Sequence, residues 1–337
     1  MKNYDFGIRV EIGNTVGSGH YFRCIALAEE LKKRKKSVIF VISNKKIIIN
    51  LKKQFPYLLL KSKTEDKKIE ECRDLMDKIK FLIIDLPEKQ EKYGKKLQDK
   101  NIVMINDVGK QNVYSKILIN GSIVKKFHNY KIMNKFTKLF IGSKYMIIRK
   151  KFIIERNKKK IIKKPIKNIL LTFGGSDEKD FTRKVLIILL KKEFKITVVI
   201  GPSNKNKQKI KKLIKNKLNL NLVIDPKNIA TLFSKQDLII SSSGITIYEL
   251  ACLGIPTIMI PANNAQKETA KEMEKKGFGK ILNSSALNKN NFNKILSQIE
   301  FRGTQKNMIK AGKKIIDGKG VERIANILEK SINLQNT

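Results

Sequence analysis

The stretch IRVEIGNTVGSGHYFRCIALAEELKK, residues 8–33, decides the fold. Ile8 to Ile12 reads as a strand, Gly13 to Gly19 as a glycine loop, and His20 to Lys33 as a helix with Phe22, Ile25, Ala26 and Leu31 on its apolar face. Strand, glycine loop and helix in that order open an α/β unit whose helix crosses back over a parallel sheet. The same grammar restarts at NILLTFGGSDEKDFTRKVLIILLKK, residues 168–192. There Asn168 to Phe173 reads as a strand, Gly174-Gly175-Ser176-Asp177 as a loop, and a helix begins near Lys179.

Around these two openings lie further short apolar runs. In the first half they are Ser37 to Ser43, Phe81 to Ile84, Ile102 to Ile105 and Lys116 to Ile119; in the second, Ile196 to Ile200, Leu222 to Ile224, Leu238 to Ser241 and Thr257 to Ile260. Runs without polar alternation imply strands covered on both faces, as in parallel sheets. Residues 156–167 change texture to Lys, Ile and Asn with one Pro, which reads as a linker. The expectation is therefore α/β: two doubly wound Rossmann-like domains, 1–155 and 168–337, with a cleft between them.

Composition bounds the function. With 337 residues, 41% of them hydrophobic, the chain can bury two cores. No apolar run approaches the roughly 20 residues that span a bilayer, and Met1 to Arg9 lacks a signal peptide's apolar segment, so a cytoplasmic location is expected. Cys24, Cys72 and Cys252 are far apart with no CxxC pair, which fits buried thiols rather than a zinc site or disulfide frame. Lys+Arg 72 against Asp+Glu 30 give a formal charge of +42. The excess is scattered lysine without interleaved arginine and aromatics, so no specific nucleic-acid partner is expected; weak attraction to anionic surfaces is.

Three segments carry chemistry. Gly17-Ser18-Gly19-His20 lets backbone amides and a helix N-terminus approach an anion, since no Cβ blocks the way. It is not a dinucleotide fingerprint, because Phe22 stands where a third glycine would be. His20 is one of two histidines, the side chain type whose ordinary range suits proton transfer near neutrality; the bland alternative is a helix-start packing residue. Gly174, Gly175 and Ser176 repeat the device, with Asp177 alternatively a plain helix cap. The richest segment is Ser241 to Ala251, followed by Gly254-Ile255-Pro256 and Gln266. Ser242, Ser243 and Gly244 at a helix start suit phosphate, and Glu249 suits ribose hydroxyls unless it pairs with a cation.

The Ser243-Gly244-Ile245-Thr246-Ile247-Tyr248-Glu249 run, the Gly254-Ile255-Pro256 turn and Gln266 resemble the nucleotide-binding half of MurG-type glycosyltransferases of the GT-B fold. Within that superfamily, Gly17 to Ala28 is similar to the opening motif of the PseG family, the UDP-sugar hydrolases of pseudaminic acid biosynthesis. Gly142 to Phe152 resembles that family's GxxYxxxRxxF segment, and Phe173 to Asp177 its GG[ST]D loop. The resemblance implies hydrolysis of UDP-2,4-diacetamido-2,4,6-trideoxy-β-L-altropyranose to UDP and free sugar. It makes His20 the base for the attacking water. It assigns UDP to Gly19, Gly174, Gly175, Ser176, Ser242, Ser243, Gly244, Ile245, Glu249 and Gln266. Asn14, Arg23, Tyr145 and Arg149 are the candidates for sugar contacts, and no metal or other cofactor is implied.

The first half departs from the family pattern. Glu11 stands in place of an Asp, Leu86-Pro87 in place of His-Tyr, and Asn106-Asp107 in place of Asp-Asp. These departures leave the nucleotide-binding half intact and bear on the sugar. Glu11 and Asp85 are the candidates to orient His20. Two other readings stand beside the hydrolase: a transferase of the same fold that passes the sugar to an acceptor, and a basic binding protein without activity.

Overall fold

Apolar runs that do not alternate need cover on both faces, and the chain supplies it twice. The computed structural model describes residues 3–11, 18–45, 48–51, 53–158, 165–190, 192–201 and 203–333. They divide into two compact units: Met1–Ile147 with Gly318–Thr337, and Ile148–Asp317.

The first unit contains β1 (Tyr4–Val10), β2 (Val38–Ile42), β3 (Tyr57–Leu59), β4 (Ile79–Asp85), β5 (Ile102–Asn106), β6 (Asn112–Val113), β7 (Ile117–Asn120), β8 (Lys131–Ile132) and β9 (Lys138–Ile141). Seven of them form one sheet in the order β3-β2-β1-β4-β5-β7-β9, with β6 and β8 a separate pair. Every pairing in the sheet is parallel. Successive side chains point to opposite faces. Phe6, Ile8, Phe40, Ile83 and Val103 pack under the Ser18–Lys33 helix, while Val41, Leu82, Ile84 and Met104 meet Ile69, Tyr93 and Leu97 on the other side.

The second unit adds β10 (Asn168–Thr172), β11 (Lys195–Ile200), β12 (Leu220–Ile224), β13 (Leu238–Ser241), β14 (Thr257–Met259) and β15 (Lys280–Ile281). Its order is β12-β11-β10-β13-β14-β15, again wholly parallel. In both sheets the winding direction reverses beside the first strand, at β1/β4 and at β10/β13. Crevices outside the carboxyl ends of strands at such reversals are where open α/β sheets bind ligands.

Three details differ from the sequence reading. The Ser18–Lys33 helix buries Ala26 and Leu31 as expected, together with Tyr21, Cys24, Leu27 and Ala28, whereas Phe22 is 41% exposed and Ile25 only half-buried. The second unit begins at Ile148, ahead of the expected 156–167 linker. The Lys150–Arg156 helix belongs to it, because Arg156 donates to the carbonyls of Cys252, Lys313 and Ile316. The chain end returns to the first unit instead of closing a 168–337 domain. The Gly320–Asn333 helix buries Val321, Ile324, Ala325, Leu328 and Ile332 in the first unit's core, and Arg34 pairs with Glu329 at 2.7 Å. Among the described residues no helix is long and apolar enough to cross a membrane.

Candidate active site

In the first unit the chemistry collects where β4 ends. Asp85 is the last residue of β4, and its side chain is fully buried. His20, in the first turn of the Ser18–Lys33 helix, places Nδ1 2.8 Å from Asp85 Oδ1. One turn on, Arg23 donates from Nε to Oδ2 at 2.6 Å and from Nη2 to Oδ1 at 2.5 Å. The Cys24 thiol donates to Oδ2 at 3.3 Å. Burial alone would raise the Asp85 carboxyl, but the Arg23 guanidinium and the His20 contact outweigh it and hold the group far below the usual carboxylate range.

That charge state settles the imidazole tautomer. Two acceptors 2.8 Å apart need a proton between them, and a carboxylate so stabilised does not carry it. Nδ1 therefore bears the hydrogen and donates to Asp85. The 2.9 Å approach of Arg23 Nη2 to Nδ1 follows from both sharing Asp85 Oδ1 as their acceptor. In the neutral ring Nε2 is then the acceptor nitrogen, in the arrangement by which a buried carboxylate orients a general base.

Asp107, just beyond β5, flanks the other side. Its Oδ1 accepts from Arg23 Nη1 at 2.5 Å, and its Oδ2 lies 3.9 Å from His20 Nε2. Its neighbour Asn106 turns inward, donating from Nδ2 to Gln90 Oε1 at 2.9 Å. Asp85 is thus the residue that orients His20. Glu11 is not: its carboxylate is taken by Arg9 at 2.5 Å, Ser43 at 2.7 Å and Lys89 at 2.9 Å. Arg23, expected to touch sugar, spends its guanidinium on the two aspartates and is 5% exposed. Tyr145 packs edge-on against Phe140 at 5.7 Å and joins the core. Asn14 and Gly17 lie outside the described residues; Gly19 lies in the first turn of the Ser18–Lys33 helix beside His20. His128 lies 3.0 Å from the Ser122 carbonyl through Nε2.

In the second unit the sheet reverses at β10/β13; the loops after β10 and β11 approach at Gly175 and Gly201, and the segments after β13 and β14 approach at Gly244 and Gln266. Gly174, Gly175 and Ser176 are exposed, and Gly174 has φ +82°, which favours glycine. A Cβ on Gly175 would meet nothing within 4 Å, so the fold itself does not require glycine there. Gly201 supports that loop from behind: a Cβ on it would come within 2.5 Å of the Gly175 backbone. Asp177 takes the plain role, accepting from the amides of Phe181 and Thr182 at 2.9 Å each.

After β13, Ser242 is 8% and Ser243 1% exposed, and Ser243 Oγ has no hydrogen-bond partner among the described residues. Gly244 caps the Ile245–Leu253 helix, where the Ile247 amide donates to the Gly244 carbonyl at 3.1 Å; a helix start of this kind leaves its earliest amides for a ligand. Gln266 arrives from the Asn264–Lys275 helix, accepting from Ala262 N at 2.9 Å. Its Nε2 sits 3.7 Å from where a Gly244 Cβ would be. Sequence reading missed Asn204, 6% exposed with Nδ2 unpartnered among the described residues; its signal was the Gly201 turn after β11.

Glu249 lies one helical turn inside, 5% exposed. It accepts from Arg149 Nε at 2.6 Å and Nη2 at 2.9 Å, so the two residues expected to contact ribose and sugar hold each other within one unit. Burial pushes the Glu249 carboxyl up, and Arg149 offsets part of the rise.

Comparison with known proteins bears on the fold. Residues 169–324 match the glycosyltransferase family 28 C-terminal domain. An uncharacterised protein of Methanocaldococcus jannaschii is 31% identical over 280 residues, 77% of this chain, and the chain spans 56% of that protein's length. The spore coat polysaccharide biosynthesis protein SpsG of Bacillus subtilis is 26% identical over 96% of this chain and 97% of its own. A UDP-N-acetylglucosamine–N-acetylmuramyl-(pentapeptide) pyrophosphoryl-undecaprenol N-acetylglucosamine transferase of Finegoldia magna is 32% identical over 42% of each chain. Among solved structures, MurG of Acinetobacter baumannii superposes with a TM-score of 0.66 at 16% identity, covering 97% of this chain and 99% of that one. Likeness at that identity establishes the fold, two Rossmann-like α/β units of the GT-B type.

Proposed function

We propose that this chain is a nucleotide-sugar enzyme that holds UDP in its second unit and uses His20, oriented by Asp85, to activate water against the anomeric carbon of the attached sugar. The observation that carries the reading is the His20 Nδ1 to Asp85 Oδ1 contact of 2.8 Å, which leaves Nε2 as the acceptor nitrogen. The match of residues 169–324 to a glycosyltransferase C-terminal domain supports the nucleotide half.

Attack at the anomeric carbon passes through an oxocarbenium-like state while negative charge builds on the departing UDP. Donors aimed at that charge are needed, and the Ile245–Leu253 helix start, Ser242, Ser243, Gly174 and Gly175 supply them. Ser176 and Gln266 border this cradle, uracil falls to the backbone at Ile245, and ribose to Glu249 beside Arg149. His20 takes the water's proton. The substrate proposed from the sequence resemblance is UDP-2,4-diacetamido-2,4,6-trideoxy-β-L-altropyranose, in pseudaminic acid biosynthesis, with Gly19, Asn14 and Tyr145 kept as proposed contacts.

A second reading, transfer of the sugar from UDP to an acceptor, is favoured by the same domain match and by the likeness to the Finegoldia magna transferase. A panel of UDP- and GDP-linked amino sugars assayed without acceptor separates the two. Sustained UDP release is expected for hydrolysis; silence until an acceptor is added means transfer, and release of GDP in preference to UDP contradicts the nucleotide assignment.

A further inference from the structure

We infer that Asp107 is a second catalytic carboxylate that holds the attacking water jointly with His20; the assignment rests on the hydrolase reading above. His20 Nε2 and Asp107 Oδ2 are 3.9 Å apart. That span is too long for a hydrogen bond, yet it is the base of a triangle whose apex, a water oxygen, lies about 2.8 Å from both atoms. Nε2 is an acceptor once Nδ1 carries the imidazole proton, and the carboxylate oxygen is an acceptor too. A water seated there gives one O–H to each and turns its lone pairs outward, toward an electrophile.

The surroundings fit that task. Arg23 holds Asp107 Oδ1 at 2.5 Å with the same guanidinium that grips Asp85, so one residue fixes the carboxylate behind the imidazole and the one in front of it. The Asp107 side chain is 35% exposed whereas that of Asp85 has no exposure, so substrate can reach only the outer carboxylate. Asn106 is committed to Gln90, which leaves Asp107 as the one member of the pair facing His20.

In the reaction the water oxygen bonds to the anomeric carbon, and the bond from that carbon to the terminal oxygen of UDP breaks, its electron pair leaving with UDP. One water proton passes to Nε2, giving an imidazolium that donates to Asp85 through Nδ1. The other stays on the new sugar hydroxyl, held by Asp107, and His20 later returns its proton to solvent. A sugar hydroxyl acceptor has a single O–H and satisfies only one of the two acceptors, so the pair selects water over an alcohol.

The test compares wild type with Asp107→Asn, which keeps an oxygen for Arg23 but removes the carboxylate, using UDP-2,4-diacetamido-2,4,6-trideoxy-β-L-altropyranose without acceptor. The expected result is a kcat lowered by about 10–10²-fold with KM and thermal midpoint retained. A variant kcat within about twofold of an active wild type overturns the assignment, as does a kcat loss matched by a collapse of the thermal midpoint, which marks a structural role. An inactive wild type overturns the hydrolase reading itself and the assignment with it, so the two failures are told apart by the wild-type rate.

Discussion

Asp85 Oδ1 lies 2.8 Å from His20 Nδ1, and the carboxylate that makes this contact has no solvent exposure. A buried charge this well paired fixes both the direction of the imidazole and the nitrogen that bears its proton.

His20→Ala removes the base without touching the nucleotide cradle. The expected kcat is about 10²–10⁴-fold below wild type, while UDP affinity measured by calorimetry stays close to normal. Equal loss of UDP binding would make His20 a phosphate ligand instead.

Asp85→Asn keeps the shape but offers His20 an amide in place of a carboxylate. The tautomer is no longer imposed, and kcat is expected to fall by about 10²–10⁴-fold. Arg23 also loses a charge partner in a buried setting, so unfolding free energy drops toward the lower end of about 3–5 kcal/mol, since Asp107 still pairs with it. Chemical denaturation that leaves stability unchanged would contradict the pairing.

Acid sensitivity follows from two depressed carboxyls. Asp85 is held far below its usual range, and Glu11, despite the opposing effect of burial, is drawn down from 4.5 to about 2 by Arg9, Ser43 and Lys89. A carboxyl depressed in the folded state stabilises fully above its unfolded value and loses that contribution as pH falls through the folded one. Stability is therefore expected to decline as pH drops from 4.5 toward 2, and Glu11→Gln to flatten the decline. Denaturant midpoints at a series of pH values check both; a wild-type slope in the variant would count against Glu11.

Gly201→Ala places a methyl against the Gly175 backbone, where a Cβ would come within 2.5 Å. The loop carrying Gly174 and Gly175 must shift, and UDP affinity is expected to weaken by about tenfold or more, as for a lost set of phosphate contacts. Uridine, which has no phosphate, should bind the variant as it binds wild type. Unchanged UDP binding would remove this loop from the proposed cradle.

Arg149→Ala leaves Glu249 buried without its bidentate partner. The cost is expected near the lower end of about 3–5 kcal/mol, because burial already pushes this carboxyl up and lets it protonate. Urea unfolding at neutral pH measures it, and a change of only a few tenths would mean the pair is not formed.

The parallel sheets were legible because β2, β4, β5 and β10 are nearly continuous apolar runs. Three of the four edge strands were not: β3 and β9 carry exposed residues, and β15 is only Lys280–Ile281. The Gly320–Asn333 helix advertises an apolar stripe, but a stripe states that a face is buried and not against which unit. His20 stood out by rarity. Asp85 could be named only beside Glu11, since the pairing of β1 with β4 decides which carboxylate stands behind the imidazole. Arg23 and Arg149 looked like ligand contacts because isolated arginines near glycine loops do, and the aspartates and the glutamate that occupy them come from distant strands and helices.

The most direct test runs the proposed substrate in ¹⁸O-enriched water without acceptor and weighs the products before the free sugar exchanges its anomeric oxygen. The expected result is one heavy oxygen in the sugar and none in UDP, as water attack at carbon requires. Label in UDP, or no UDP released at all, would contradict the account.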